Sequence, residues 1–344
     1  EISACLVGSE MCIRDRSNSH IQTVAVLTQY NARSLNEHLS SSKWWNFGRK
    51  QGGLFLFTPT VTADNSDWYR GTADAMYQNI DFLKRRHEPY VIISSGDCVY
   101  KLDFNRVLDF HIEKKSDITV VCKDMMYNDD VSRFGVVRMD DESRITEFDE
   151  KPIEALSNTI STGIYVIRRR QLIELLEAAA EENRFDFVND ILVRYKNVKK
   201  IYGYKINSYW NNIADIDAYF KTNMDFLRPD IRSYFFREEP TICSKVDDLP
   251  PAKFNPGSDI SNSLVSSGCI INGSVEDSVL FKQVFVGKNT TVKNCVLLND
   301  VYIGDNVHLE NCIVESRGTI NPNTCYCGED GVMIVKEKNV RYVI

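Results

Sequence analysis

Four short stretches hold residue types that chemistry could use. Trp68-Tyr-Arg-Gly-Thr-Ala-Asp-Ala75 puts a small, glycine-containing turn at the start of a helical pattern. The first N–H groups of a helix lack intrahelical partners, so this turn suits a nucleotide or phosphate, and equally a plain helix cap. Ser95-Gly-Asp97 follows the apolar run Tyr90-Val-Ile-Ile93. A carboxylate at the carboxyl end of a buried strand sits where α/β sheets bind ligands, and it is a natural ligand for Mg2+ bridging to phosphates. Phe148-Asp-Glu-Lys-Pro152 sets a lysine after an edge strand, either a point charge for a sugar phosphate or a solvated loop charge. Tyr209-Trp-Asn-Asn212 is an aromatic pair followed by two amides.

These stretches need elements to hold them. Short apolar runs recur at Val24–Leu27, Leu54–Phe57, Tyr90–Ile93 and Ile118–Cys122, as expected for strands of a parallel sheet buried on both faces. Helical patterns alternate with them. One begins at Ser34–Leu39; another runs Thr72–Arg85, with Thr72 as N-cap and Ala75, Met76, Ile80 and Leu83 on one face. A third spans Phe104–Lys115, with Val107, Leu108 and His111 together. Phe134–Arg138 and Ile145–Phe148 flank a polar turn and read as a hairpin. A helix at Arg170–Glu182, a strand at Tyr202–Ile206 and a helix at Asp215–Leu227 complete an α/β domain over residues 17–228. Residues 1–16 share no period with the rest of the chain. They read as a non-native segment or an ordinary N-terminal arm, and lie outside the fold reasoning.

Prolines 240, 250, 251 and 256 mark 229–257 as a linker, after which a repeat begins. Val284–Leu297 aligns with Val301–Val314 at an offset of 17, matching Gly287 to Gly304, Asn289 to Asn306, Asn294 to Asn311 and Cys295 to Cys312. Val286/Val292 and Ile303/Leu309 recur six apart. A coil of three six-residue sides is a hexapeptide, left-handed parallel β-helix over 258–344; a β-sandwich with a chance repeat is the alternative. Cys269, Cys295 and Cys312 are then expected to stack along one line of the prism.

Composition narrows the function. A net charge of −7 argues against a general nucleic-acid binder, and the absence of a long apolar run argues against a membrane span. Among ten cysteines, the closest pair, Cys325-x-Cys327, is a weak metal signal because a partner pair is missing. The thiols read as reduced and the compartment as cytoplasmic.

In this order, and followed by such a β-helix, the stretches resemble the sugar-1-phosphate nucleotidyltransferases, most closely the glucose-1-phosphate adenylyltransferases. WYRGTADA, SGD-x-x-Y-K (Ser95–Lys101), FDEKP, STGIYV (Ser161–Val166) and YW followed by Ile216-Asp-Ala-Tyr219 carry the resemblance. It implies a Rossmann-like domain that makes ADP-glucose and pyrophosphate from ATP and glucose 1-phosphate with Mg2+, toward bacterial glycogen. By resemblance, Tyr69, Gly71, Thr72 and Ala73 lie by the nucleotide, and Asp97 is the catalytic, metal-binding aspartate. Glu150 and Lys151 hold the sugar and its phosphate; Ser161, Gly163, Asp186 and Phe187 line the glucose pocket.

The departures from the family are specific. Its opening Gly-rich phosphate loop, GGxGxRLxxLT, is not found, which implies an N-terminally incomplete domain. Its Tyr-Trp-Arg-Asp, whose aspartate is the second Mg2+ ligand, reads Tyr209-Trp-Asn-Asn212 here. Cys98 stands where active members have His, and Asp-Phe-Gly-Lys-Asp reads Asp186-Phe-Val-Asn-Asp190. Weak or absent Mg2+ binding is therefore expected. The pattern resembles the D-type regulatory subunit, an oligomeric partner of a catalytic subunit. An active transferase and a hexapeptide-repeat acyltransferase or scaffold are the alternatives. The last is disfavoured because His308, the one histidine on the repeats, reads as a surface residue.

Overall fold

The computed structural model describes residues 19, 21–30, 32–39, 52–59, 68–126, 129–242 and 248–338; the segment 1–16 lies outside the described residues. The first described elements are strand β1 (Thr23–Leu27), helix α1 (Ala32–Leu39) and strand β2 (Gly53–Phe57). β1 and β2 pair in parallel, Thr23 opposite Gly53. Val24 and Leu39 are buried between them against Leu35, Leu54 and Leu56.

The expected helix over 72–85 is two pieces, α2 (Thr72–Gln78) and α3 (Ile80–Lys84), parted at Asn79. Next come β3 (Tyr90–Ser94), β4 (Cys98–Tyr100), α4 (Phe104–Glu113), β5 (Ile118–Asp124), β6 (Gly135–Met139), β7 (Ile145–Glu150), β8 (Thr159–Arg168), α5 (Arg169–Glu181), β9 (Ile201–Lys205) and β10 (Trp210–Asn212). Six strands form one sheet in the order β7-β6-β8-β5-β9, with β3 also on β8.

This sheet is mixed rather than parallel. β5 and β9 run parallel, but β8 is antiparallel to β3, β5 and β6. Continuous apolar runs report burial on both faces, and any sheet covered on both sides supplies that, whatever its strand directions. Ile118, Val120 and Cys122 face α5, which buries Leu172, Leu175, Leu176 and Ala179. Val121, Ile164 and Val166 face the other way, onto Phe104 and Val107 of α4. Asp103 caps α4 by accepting the Asn105 N–H at 3.0 Å.

The repeat region is a parallel β-solenoid. One five-stranded sheet stacks Lys253–Phe254, Ile270–Ile271, Phe285–Val286, Tyr302–Ile303 and Thr319–Ile320; two more five-stranded sheets form its other sides. The offset of 17 appears as register, with Val292 over Leu309 and Val296 over Ile313. Val286, Val292, Ile303 and Leu309 are fully buried along the axis. Asn289, Asn306 and Asn323 turn corners at φ between +54° and +60°. Their amides chain together, Asn289 Nδ2 to Asn306 Oδ1 at 3.2 Å and Asn306 Nδ2 to Asn323 Oδ1 at 3.0 Å. Asparagine tolerates this left-handed backbone better than most residues and links each corner to the next.

The cysteine line differs from expectation. Ser278, Cys295 and Cys312 share it; the Ser278 hydroxyl accepts the Cys295 N–H at 3.0 Å. Cys269 precedes Ile270, which pairs with Phe285, so it belongs to another edge. Its 26-residue separation from Cys295 does not match the coil length.

The interval expected as linker begins with a helix. α6 (Ile216–Asp225), capped by Asp215 accepting the Ala218 N–H at 2.7 Å, leads into α7 (Pro229–Phe236). Pro229 is at the first turn of α7, where its missing N–H costs nothing, so here proline starts a helix. Phe235 is fully buried with Phe226, Ile231 and Tyr219 against Val296, Leu298 and Ile313 of the solenoid. Lys101 Nζ donates to the carbonyls of Tyr234 and Glu238, tying α7 to the α/β domain as well. Phe235→Ala is therefore expected to lower unfolding free energy by about 3–5 kcal/mol. Phe236→Ala, whose side chain is exposed, should cost under about 1 kcal/mol. Urea unfolding of both variants checks this contrast; equal losses would place the domain contact elsewhere.

Candidate functional site

The site is built on β8. Between Val120 opposite Tyr165 and Cys122 opposite Ser161, β5 advances two residues while β8 advances four. The surplus falls at Thr162, Gly163 and Ile164. Gly163 takes φ +75°, which a glycine adopts without penalty, and a Cβ there would meet the Ser95 Cβ at 3.2 Å. Thr162 Oγ1 donates to the Val121 carbonyl at 2.9 Å, which closes the distorted ladder.

The Asp97 loop hangs from this bulge. β3 ends with Ser94 opposite Ile164, and the Ser95 N–H donates to the Gly163 carbonyl at 3.0 Å. The Ser95 hydroxyl donates to Asp97 Oδ1, and the Cys98 thiol donates to the same oxygen at 3.4 Å. β4 and β10 then form a short antiparallel ladder: Trp210 opposite Tyr100, Asn211 opposite Val99, Asn212 opposite Cys98. The Ile213 N–H donates to the Asp97 carbonyl at 2.7 Å. Asn212 thus stands opposite Cys98, the neighbour of Asp97. Asn212 Nδ2 lies 3.7 Å from Cys98 Sγ, and its Oδ1 accepts the Ala214 N–H at 3.0 Å. Asn211 turns away, donating to Tyr209 Oη at 2.7 Å and to Asp225 at 3.2 Å.

These donors do not fit a strong Mg2+ site. Asp97 offers one carboxylate, one of whose oxygens already receives two hydrogen bonds; the Asn212 amide oxygen is neutral and already accepting.

A second cluster surrounds Tyr165. The Ser161 hydroxyl donates to Tyr165 Oη at 3.3 Å, and the Phe187 ring packs 5.3 Å from the Tyr165 ring. Burial, together with the nearby Glu150 and Asp186 carboxylates, holds the Tyr165 phenol well above its ordinary range. Burial also raises the Glu150 pKa; Asp186 adds to the shift and Lys151, 4.0 Å away, opposes it. Ser161, Asp186, Phe187, Glu150 and Lys151 therefore share one neighbourhood, and Gly163 joins it to Asp97. Tyr165 and Ser95 were missed by the sequence reading. Tyr165 was findable, because 161, 163 and 165 alternate on one strand within STGIYV. Ser95 owes its role to contacts across the sheet.

Tyr69, Gly71, Thr72 and Ala73 lie at the start of α2. Gly71, rather than Thr72, is the N-cap of α2. The Phe185 carbonyl accepts the Ala73 and Asp74 N–H groups at 2.8 and 3.2 Å, and Thr72 Oγ1 accepts the Phe187 N–H at 2.9 Å. The helix start is capped by the chain itself, not left open for phosphate. A Cβ on Gly71 would sit 2.4 Å from the Phe185 carbonyl oxygen, so glycine serves close packing here. Buried Tyr69 accepts from Asn79 Nδ2 at 3.0 Å. Asn189, in place of the expected lysine, lies on the π-helical turn Val188–Val193 and donates its N–H to Asp186 Oδ1 at 2.7 Å. A separate cleft of about 680 Å³ opens between Leu227–Pro229 and the solenoid residues Lys293 and Glu310, lined by none of the residues above.

Glu150 gives a pH test. Its folded pKa is raised, so ionising it weakens folding; the stability it contributes is present at acid pH and lost as pH rises through the raised value. Glu150→Gln should match the parent at pH 4 and be the more stable of the two at pH 7 in urea unfolding. A constant gap at both pH values would show that Glu150 is not desolvated as described.

The chain matches the nucleotidyl transferase family over residues 9–228 and the GlmU-like C-terminal hexapeptide family over residues 250–335. It is 37% identical to a glucose-1-phosphate adenylyltransferase of Clostridium novyi (strain NT) over 277 residues, 80% of this chain and 72% of that protein. A namesake from Clostridium acetobutylicum is 38% identical over 277 residues, 80% of this chain and 73% of its own length. The Bacillus subtilis (strain 168) protein of the same name is 36% identical over 278 residues, again 80% and 73%. Among the described residues, no helix is long and apolar enough to cross a membrane.

Proposed function

The chain belongs to the glucose-1-phosphate adenylyltransferase family of nucleotidyl transferases, and we propose that within it this chain is a weakly active or inactive regulatory subunit. The family reaction, in this reading, is attack of a glucose 1-phosphate oxygen on the α-phosphorus of ATP, with pyrophosphate leaving and ADP-glucose formed for glycogen synthesis. It requires little covalent work from the protein and depends on positioning and charge neutralisation.

The observation that carries the proposal is Asn212. It stands opposite Cys98, beside Asp97, where the family resemblance implies a second metal carboxylate. An amide there cannot neutralise a cation, and an in-line transfer among phosphates needs that cation held in place. Two features lend support. The N–H groups at the start of α2 are taken by the Phe185 carbonyl. Asn189 stands where the family places a lysine. The sugar side is better kept. Ser161, Glu150, Asp186 and Phe187 surround Tyr165, with Lys151 beside Glu150, so in this reading glucose 1-phosphate can be recognised without being turned over. The chain would then act by assembling with a catalytic subunit of the same family.

The test is pyrophosphorolysis of ADP-glucose, measured on the chain alone, on a catalytic subunit alone and on the mixture. We expect the isolated chain to turn over roughly 10²-fold or more slowly than the catalytic subunit, the loss that several kcal/mol of transition-state stabilisation represents. The mixture should differ from the sum of its parts. Calorimetry with Mg-ATP should show affinity weaker than micromolar, and Asn212→Asp should tighten Mn2+ binding by about tenfold. Turnover by the unaltered chain comparable to the catalytic subunit would overturn the regulatory reading and leave an active transferase.

A further inference from the structure

Cys325-x-Cys327 looked unpartnered in the sequence, but the solenoid brings it ligands from the next coil. His308–Glu310 and Cys325–Cys327 are adjacent parallel strands, His308 opposite Cys325 and Glu310 opposite Cys327. Between them in sequence, Leu309 is fully buried and Tyr326 packs on the solenoid core. Alternation along a strand therefore turns the other four residues outward, as a square of imidazole, carboxylate and two thiols. The ligand atoms of His308, Glu310 and Cys327 all lie within 4.8 Å of one another. His308 Nε2 is 3.6 Å from Glu310 Oε2, and Cys325 Sγ is 3.6 Å from Cys327 Sγ.

We propose that His308, Glu310, Cys325 and Cys327 form a surface binding site for a divalent transition-metal ion of the zinc class, distinct from the Asp97 site. Zinc bonds of about 2.3 Å to sulfur and about 2.0 Å to nitrogen or oxygen set tetrahedral ligand atoms about 3.3–3.8 Å apart. The two 3.6 Å separations already fall in that range. Two thiolates and an imidazole select zinc over the oxygen-seeking Mg2+ and Ca2+. The four side chains ride on the rigid solenoid, so closing the site needs only rotations of exposed side chains. Zinc binds thiolates rather than thiols, so metal uptake displaces thiol protons and affinity rises with pH.

The experiment uses the full chain, freed of metal and kept reduced, titrated with Co2+ alone. We expect one Co2+ per chain with a thiolate-to-cobalt charge-transfer band, displaced by Zn2+ and untouched by excess Mg2+. Affinity should tighten from pH 6 to pH 8. His308→Ala and Glu310→Gln should each weaken binding by roughly tenfold or more, and the Cys325→Ser/Cys327→Ser double variant should lose the band. His308 and Glu310 are partly exposed, so their variants test the site even if the double variant folds poorly. Three outcomes overturn the proposal: no band, a band that survives in the double variant, or a reduced chain that takes up no metal and closes a Cys325–Cys327 disulfide on oxidation.

Discussion

The Ser95 N–H donates to the Gly163 carbonyl, and through that bond the loop carrying Asp97 is fixed to the strand carrying Ser161 and Tyr165. The bond exists because β8 holds surplus residues against β5, and because a glycine at φ +75° absorbs them. A side chain at 163 would press on Ser95 and move the loop. β8 also receives β3, β5 and β6, so the sheet and the site share one strand. Bulges commonly re-aim side chains beside functional sites, and here the bulge separates Ser161 from Tyr165 so that the serine hydroxyl reaches the phenol.

Charge distinguishes the two halves of the site. Around Tyr165, burial raises the Glu150 pKa; Lys151 lowers it, and the Asp186 carboxylate raises it by less than Lys151 lowers it. A buried carboxylate of this kind opposes folding once it is ionised. On the Asp97 side, the like-charge problem is absent. Asn212 beside Asp97 needs no cation to relieve repulsion, and its amide is used by Cys98 and Ala214. A second carboxylate would be uncomfortable there without a metal; an amide is not.

The solenoid contributes a rigid prism and a docking face for the first domain. Its axis is filled by aliphatic side chains, and its corners are turned by asparagines in left-handed backbone. α6 and α7 lie on one side, with Phe235 at the centre of the contact. The outer rows of the other sides stack residues from successive coils 17 apart, so side chains distant in sequence stand side by side.

Periodicity determined much of this in the sequence alone. The 17-residue offset and six-residue spacing fixed which solenoid residues face inward, since each coil must bury the same side. The apolar runs located the strands, and the order of motifs marked Asp97, Glu150, Ser161 and Asn212 as candidates. Strand direction was not legible, because burial on both faces does not depend on it; hence a mixed sheet where a parallel one was expected. Nor was the capping of α2 by Phe185, 112 residues away from Ala73, since nothing local marks which carbonyl takes those N–H groups. Proline 229 read as a linker and starts a helix, because its missing N–H is harmless in a first turn. Cys269 fell off its expected line because its separation of 26 from Cys295 does not match the 17-residue coil. Cys325 and Cys327 looked partnerless because a CxC pair carries no partner of its own, and the stacking of one coil on the next sets them beside His308 and Glu310.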